Sequence, residues 1–162
     1  NLYPTHLIYL TYKSRYSSYN HYNLLKLNFT DKDFSIIENI RKKVFSDEMN
    51  IPKSKLFDEH DETCDHFILF DGKKSVGSIR FLKIKKEIKL ERMAILAEFR
   101  GKNYGKSAIL QLIEYYHMMG NSKMILDSIF SVRDFYKKCG FIEEGEIFQR
   151  VGIDHIRMSF TF

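Results

Sequence analysis

The run Arg100-Gly101-Lys102-Asn103-Tyr104-Gly105-Lys106 stands between a strand-like stretch, Leu90–Leu96, and an apolar helix-like stretch that opens at Tyr104. Such a junction suits one kind of chemistry. Successive backbone N–H groups at a helix start point the same way, and the helix dipole adds partial positive charge, so an anion is held there. Glycine lets the backbone approach a ligand closely. Arg100, Lys102 and Lys106 add mobile cations, and the run continues through Ser107. The chemistry is capture of a pyrophosphate. Two glycines alone would sooner describe a turn with solvated lysines; the strand before and the helix after supply the context that a phosphate site requires.

The junction resembles the Arg/Gln-x-x-Gly-x-Gly/Ala motif of the Gcn5-related N-acetyltransferases (GNAT). Arg100 matches the first position and Gly105 the last. Asn103 stands where the family usually has its middle glycine, and Asn tolerates positive φ better than most residues. Asp134-Phe135-Tyr136-Lys137-Lys138-Cys139-Gly140-Phe141 resembles the family's Phe-Tyr-x-Lys-x-Gly-Phe segment. Ile40–Phe45 resembles the first-helix Arg-x-x-Val-Phe pattern of a small-molecule branch. Asp58-Glu59-His60-Asp61 with His66-Phe67, and Gly152–Met158, resemble that branch's acidic stretch and its Gly-Ile-x-His-x-x-Met ending. The similarity runs in order over residues 27–160.

The resemblance implies acetyl-CoA as cosubstrate and no metal. It places Arg92, Met93, Ala94 and Ile95 along the pantetheine arm, with Met93 and Ile95 hydrogen-bonding it. An N–H there would stabilise the oxyanion, a donor role that can be worth about 3 kcal/mol. It places Arg100, Gly101, Lys102, Asn103, Tyr104, Gly105, Lys106 and Ser107 on the pyrophosphate, and Phe135, Tyr136 and Lys138 beside the cofactor. Tyr136 matches the tyrosine that protonates the departing thiolate; a phenol of pKa about 10 suits that donation. Its plain alternative is a packed aromatic. The attacking amine must be neutral, and Glu91, His155, His60 and Asp127 are candidate bases, Glu91 first because its strand passes the acetyl group. A carboxylate paired with a lysine is the alternative for Glu91. Where no single base is essential, holding amine and thioester together supplies most of the rate. Cys139 reads as a small buried residue.

For the acceptor, Lys123–Asp127 with Phe135–Phe141 is similar to glucosamine 6-phosphate N-acetyltransferases. That similarity implies Asp127 near an amino sugar and Arg157 on its phosphate across a homodimer interface; Arg41 and His155 are further acceptor-side candidates, independent of it. Arg41, Arg80, Arg157 and Lys42 could each serve a phosphate; ordinary surface charge is the alternative for each. Two other classes stay open. One is an acetyltransferase for protein lysine or N-terminal amines, drawn by the acidic 58–62 loop. The other is a non-catalytic acyl-CoA-binding module.

These residues need elements to position them. The spacing predicts a helix over 32–45, a loop or short second helix over 46–64, and a hairpin of 66–71 with 76–85 around Asp71-Gly72-Lys73-Lys74. A strand over 88–96, a helix over 104–119 stopped by Gly120, a strand over 123–129, a short helix over 132–139 and strands over 141–148 and 155–162 follow. Asn28–Thr30 reads as a strand leading to a cap at Asp31 and Asp33. The order implies one α/β (α+β) domain over 27–162, with a mixed central sheet; the resemblance adds a splayed strand pair and helices on both faces. Residues 1–26 read as a tyrosine-rich extension, partly strand-like at Leu7–Tyr12.

The chain has 162 residues, 44% of them hydrophobic, which fits one core-bearing domain. A net charge of +5 suits an anionic ligand and falls short of the load of a nucleic-acid binder. Lys83, Lys85, Lys86 and Lys89 read as a solvated strand face. Two distant cysteines, Cys64 and Cys139, make no disulfide framework or metal spacing, so a reducing cytoplasmic setting is the expectation. No apolar run reaches a membrane span, and no membrane partner is expected. The chain begins at Asn1, which leaves a removed targeting segment open.

Overall fold

Seven stretches pair as strands among the described residues, 22–162 of a computed structural model. In chain order the elements are β1 (Tyr22–Leu27), α1 (Phe34–Arg41), β2 (Asp65–Asp71), β3 (Lys74–Ile84), β4 (Glu87–Ile95), α2 (Tyr104–Met118), β5 (Lys123–Ile129), α3 (Arg133–Lys137), β6 (Ile142–Arg150) and β7 (Ile153–Thr161). The sheet order is β1-β2-β3-β4-β5-β7-β6. β1 and β2, and β2 and β3, pair antiparallel; β4 and β5 pair parallel; β5, β7 and β6 are antiparallel again. The expected mixed sheet is present. The chain forms two compact units. The first holds the described residues up to Phe81 with Arg92–Gly105, and the second holds Leu82–Glu91 with Lys106–Phe162.

In the first unit, α1 buries Phe34, Ile37 and Ile40 in a cluster with Leu25 and Leu27 of β1, Ile68 of β2, and Ala94 and Leu96 at the end of β4. Residues 22–26, read from sequence as part of the extension, are instead strand β1, in register with β2 from Tyr22↔Asp71 to Leu27↔His66. The rest of the extension, Leu7–Tyr12 included, lies outside the described residues. Asn28–Thr30, expected as strand, is the turn after β1. The Asp31 carboxylate accepts the Asn28 N–H at 2.6 Å, a local bond that competes with a sheet ladder. The Asp33 side chain makes no cap bond. The helix expected over 32–45 is α1 followed by a π-helical stretch, Lys42–Glu48, whose wider turns an apolar period cannot reveal. Beyond it comes a single 3₁₀ turn, Lys53–Lys55, after Pro52.

In the second unit the buried residues include Ile88 and Leu90 of β4, Ala108, Ile109, Leu112 and Tyr116 of α2, Met124 and Leu126 of β5, and Ile156 and Met158 of β7. Gly120 ends α2 with φ 81°, a left-handed stop that glycine takes without strain. The β6–β7 hairpin turns at Val151-Gly152, where both φ values are positive, 52° and 72°. That is the sign pattern of a type I′ turn, which matches the strand twist.

Candidate active site

β4 carries the first component. Its parallel ladder with β5 runs from Glu87↔Lys123 to Leu90↔Leu126 and ends there, although β4 continues to Ile95. Two residues past the end, Arg92 has φ 50°. A left-handed residue inside a strand turns the following backbone away from the regular pleat, as a bulge does. Ala94 is buried while Arg92, Met93 and Ile95 are partly exposed. On the β3 side the approach is tight: a Cβ on Gly77 would meet the Ala94 carbonyl oxygen and Ile95 Cδ1, each at 2.6 Å. The Leu96 N–H donates to the Val76 carbonyl at 3.0 Å.

The loop after β4 has the shape its sequence promised. A 3₁₀ turn, Ala97–Phe99, leads into extended Arg100. Gly101 and Asn103 then take φ 73° and 65°, so Asn103 fills the left-handed position otherwise suited to glycine, and α2 starts at Tyr104. Gly105 is buried, with Lys102 and Asn103 exposed before it. Two side chains have other partners. The Arg100 Nε–H donates to the Ile95 carbonyl at 2.8 Å and its guanidinium pairs with Glu48 at 2.8 Å, so Arg100 is tied rather than mobile. The Tyr104 hydroxyl donates to Asp71 at 2.5 Å. That hydrogen bond raises the phenol's pKa, with burial second. Lys102 lies 5.7 Å over the Phe99 ring.

In the second unit, Tyr136 of α3 is half-buried, edge-on to Phe135 at 5.0 Å and to Phe141 at 6.0 Å. Burial, with Cys139 nearby, pushes its pKa well above that of free tyrosine, so it keeps its proton at neutral pH. Burial also lifts the Cys139 thiol to about 11, against a weaker pull from Lys106, which makes it a poor nucleophile. Lys138 is exposed.

Asp127 of β5 collects cations. Arg157 donates to it through Nε, and Arg150 and Lys89 each reach Oδ2 at 3.1 Å. Burial pushes this carboxyl up, but Arg157 and Lys89 outweigh it and hold the pKa at about 2. Such a carboxylate is a poor proton acceptor, which removes Asp127 from the candidate bases. Lys89 also pairs with Glu91 at 3.0 Å, so Lys89 is a bridge between two carboxylates and not part of a solvated face. The charged partners Lys89 and Arg150 were missed in the sequence; the strand parity that puts 89 beside 91 was the available signal. His155 stacks on Phe148 at 5.8 Å and donates from Nδ1 to the Ile153 carbonyl at 2.8 Å.

The acidic stretch lies elsewhere than a phosphate or acceptor reading expects. Arg41 is 1% exposed and pairs with Asp61 at 2.8 Å, also donating to the Leu56 carbonyl at 3.2 Å. It is neither a surface charge nor accessible to an acceptor. Arg80, equally buried, grips both oxygens of Asp58 at 2.6 and 2.9 Å and touches Asp61 at 3.0 Å. Arg92 reaches Asp58 at 3.1 Å. Arg41 also donates to His66 Nδ1 at 3.3 Å, so the ring's proton sits on Nε2 and is donated to the Asp61 carbonyl at 2.8 Å. Burial keeps His66 neutral, its pKa lowered. Arg41 stands four residues after Ile37 and three before Val44, on the helix's apolar stripe, and that spacing marked it as inward-facing. His60 is exposed, apart from the buried members of the network. Among the described residues no cluster could hold a metal ion.

Residues 28–162 match the model of the acetyltransferase (GNAT) domain. The chain is 32% identical over 121 residues to an uncharacterized N-acetyltransferase, YjcF, of Bacillus subtilis (strain 168), covering 74% of this chain and 86% of that one. Among solved structures, Escherichia coli ElaA superposes with a TM-score of 0.73 at 22% identity, over 85% of this chain and 98% of ElaA. A spermidine N-acetyltransferase from Vibrio cholerae, solved with CoA and spermine, superposes with a TM-score of 0.62 at 20% identity, over 85% of this chain and 95% of that one.

Proposed function

The chain belongs to the acetyltransferase (GNAT) domain family, and on that premise we propose that it transfers the acetyl group of acetyl-CoA to a primary amine of a small molecule by direct attack. The observation that carries the donor side is the loop before α2. Gly101 and Asn103 in left-handed conformations turn the backbone at the start of a 15-residue helix, where N–H groups and dipole favour a pyrophosphate. Lys102, Lys106 and Ser107 follow the same turn, while Arg100 acts through Ile95 and Glu48.

Acetyl-CoA supplies an activated thioester. A neutral amine attacks its acyl carbon, a C–N bond forms, the C–S bond breaks, and the amine's surplus proton leaves to a base. Tyr136 gives its proton to the departing sulfur. Burial keeps that proton in place at neutral pH and makes Tyr136 a weaker acid than a free phenol, so the role rests on its place in the Phe135–Phe141 segment rather than on its pKa. Glu91 is kept as the proton acceptor by its place on β4, although its pairing with Lys89 at 3.0 Å is the lysine-paired arrangement that competes with that role. His155 and Arg157 line β7 next to β5 and fit an acceptor. The cations around Asp127 outnumber its own charge, which favours an amine that also carries an anionic group. Glucosamine 6-phosphate is the finer reading, and spermidine, a polycation, is its opposite. We also read the molecule as a cytoplasmic homodimer, and the domain as starting at β1 rather than residue 27; no helix among the described residues is long and apolar enough to cross a membrane.

The test is calorimetric titration with acetyl-CoA, then thiol release across an amine panel holding both compounds. Binding and amine-dependent thiol release are expected, with Tyr136→Phe lowering kcat by about 100-fold. Turnover unchanged in Tyr136→Phe at every pH would remove the acid role. Release with spermidine but none with glucosamine 6-phosphate would overturn the anionic acceptor. Binding with no release for any amine would leave an acyl-CoA-binding module.

A further inference from the structure

Arg92 holds φ 50° in the middle of β4, a conformation that a residue with a Cβ avoids unless its surroundings impose it. The surroundings here are specific. The Arg92 guanidinium meets Asp58 at 3.1 Å and the Lys55 carbonyl at 3.4 Å. Asp58 cannot yield, because Arg80 holds both its oxygens, its own N–H donates to Asp61 at 2.8 Å, and its Oδ1 accepts the His60 N–H at 3.0 Å. Asp61 is in turn fixed by Arg41. Arg92 is about a third exposed, while Arg41, Arg80 and Asp61 behind it are 1% exposed. A chain of ion pairs therefore runs from the buried interior of the first unit to one backbone kink. Two of the three residues after that kink, Ala94 and Ile95, lie close against Gly77 of β3, with no room there for a Cβ.

We propose that the Asp58–Arg92 ion pair is a latch that holds the β4 bulge, making Asp58 and Arg92 positioning residues for the Met93–Ile95 backbone that receives acetyl-CoA. Asp58 and Asp61 of the acidic 58–62 loop thus act on the donor strand. Asp58 is also held as a carboxylate, chiefly by Arg80, so the latch stays charged throughout the neutral range. The role rests on the acetyl-CoA reading above and concerns only how the donor strand is shaped.

A glycine series separates a latch from a direct ligand. Arg92→Ala removes the ion pair and keeps a Cβ that resists positive φ, so acetyl-CoA affinity is expected to fall about ten-fold, the factor that a left-handed penalty corresponds to. Arg92→Gly removes the same ion pair and frees the backbone to keep its bulge, so most of that loss is recovered. Arg92→Lys, with a Cβ and a weaker point-charge contact, falls between them. Affinity is read by calorimetry, and hydrogen exchange at Met93–Leu96 is read in parallel. Faster exchange is expected in Arg92→Ala than in Arg92→Gly. Equal losses in Ala and Gly would mean that the guanidinium touches the ligand directly and would overturn the latch, as would an Arg92→Ala protein that binds like the wild type. If Arg92→Ala does not fold, Arg92→Gln takes its place in the same comparison. A wild-type protein that binds no acetyl-CoA would refute the donor reading instead, and the exchange data would still judge the latch.

Discussion

Asn103 keeps φ at 65° one residue before α2, where only glycine is wholly at ease. Its side chain is exposed, so its value there is conformational. Asn103→Val should lose about 1–2 kcal/mol in urea unfolding because a β-branched residue opposes this region, and Asn103→Gly should stay within a few tenths. Equal stability for both would mean that the turn is not held as described. Arg41 presents the opposite case, a charge with no access to solvent whose partners are all internal. Removing one member of a buried pair leaves the other uncompensated. Arg41→Ala should therefore cost about 3–5 kcal/mol in chemical denaturation, and a loss below about 1 kcal/mol would contradict that account.

At the level of elements, one turn and one close strand contact set the geometry. The β6–β7 hairpin puts Val151, a β-branched residue, at φ 52°, and Val151 is 81% exposed, so nothing in packing opposes a change. Val151→Asn should raise stability by about 1 kcal/mol and lift Tm by several degrees, because Asn-Gly is the preferred pair for this turn. An unchanged or lowered Tm would show that the valine serves the fold in another way. Where β3 crosses the end of β4, a methyl group at Gly77 would collide with the Ala94 carbonyl, a backbone atom that cannot swing aside. Gly77→Ala should destabilise by about 1–3 kcal/mol. It should also weaken acetyl-CoA binding, since the strand it displaces is the one after the Arg92 bulge; differential scanning fluorimetry and titration on one sample would report both.

For the molecule as a whole, acid should be the weak side. His66 is neutral in the fold with its pKa lowered by burial, whereas in the unfolded chain it titrates near its ordinary value of about 6.5. Below that pH the unfolded state binds a proton that the folded state refuses, so stability falls as pH drops. Asp58, held at about 2, and Asp61, also lowered, add a second stage. Their contribution is complete above about pH 4, the unfolded carboxylate value, and is lost as pH falls toward the folded values. Tm should be level near neutrality and decline from about pH 6.5 downward, with His66→Gln flattening the upper part of that decline. A Tm that rises between pH 7 and 5.5 would contradict the neutral, buried His66. The sequence by itself determined the order of elements from α1 onward, the left-handed turn at Arg100–Ser107 that opens α2 and the Phe135–Phe141 segment, because each depends on local period, on glycine or asparagine at left-handed positions, or on contiguous motif residues. It also held the family, through motifs spread in order along the chain. It did not determine β1, whose partner β2 lies some forty residues away, nor the π-helical Lys42–Glu48, nor the bulge at Arg92. The pairings of Arg41 with Asp61, Arg92 with Asp58, and Lys89 with both Glu91 and Asp127 were likewise decided only in three dimensions. The reason is physical: a charged side chain's partner depends on which strands and loops fold beside it, and the desolvation that forces buried charges to pair exists only once those elements have closed around them.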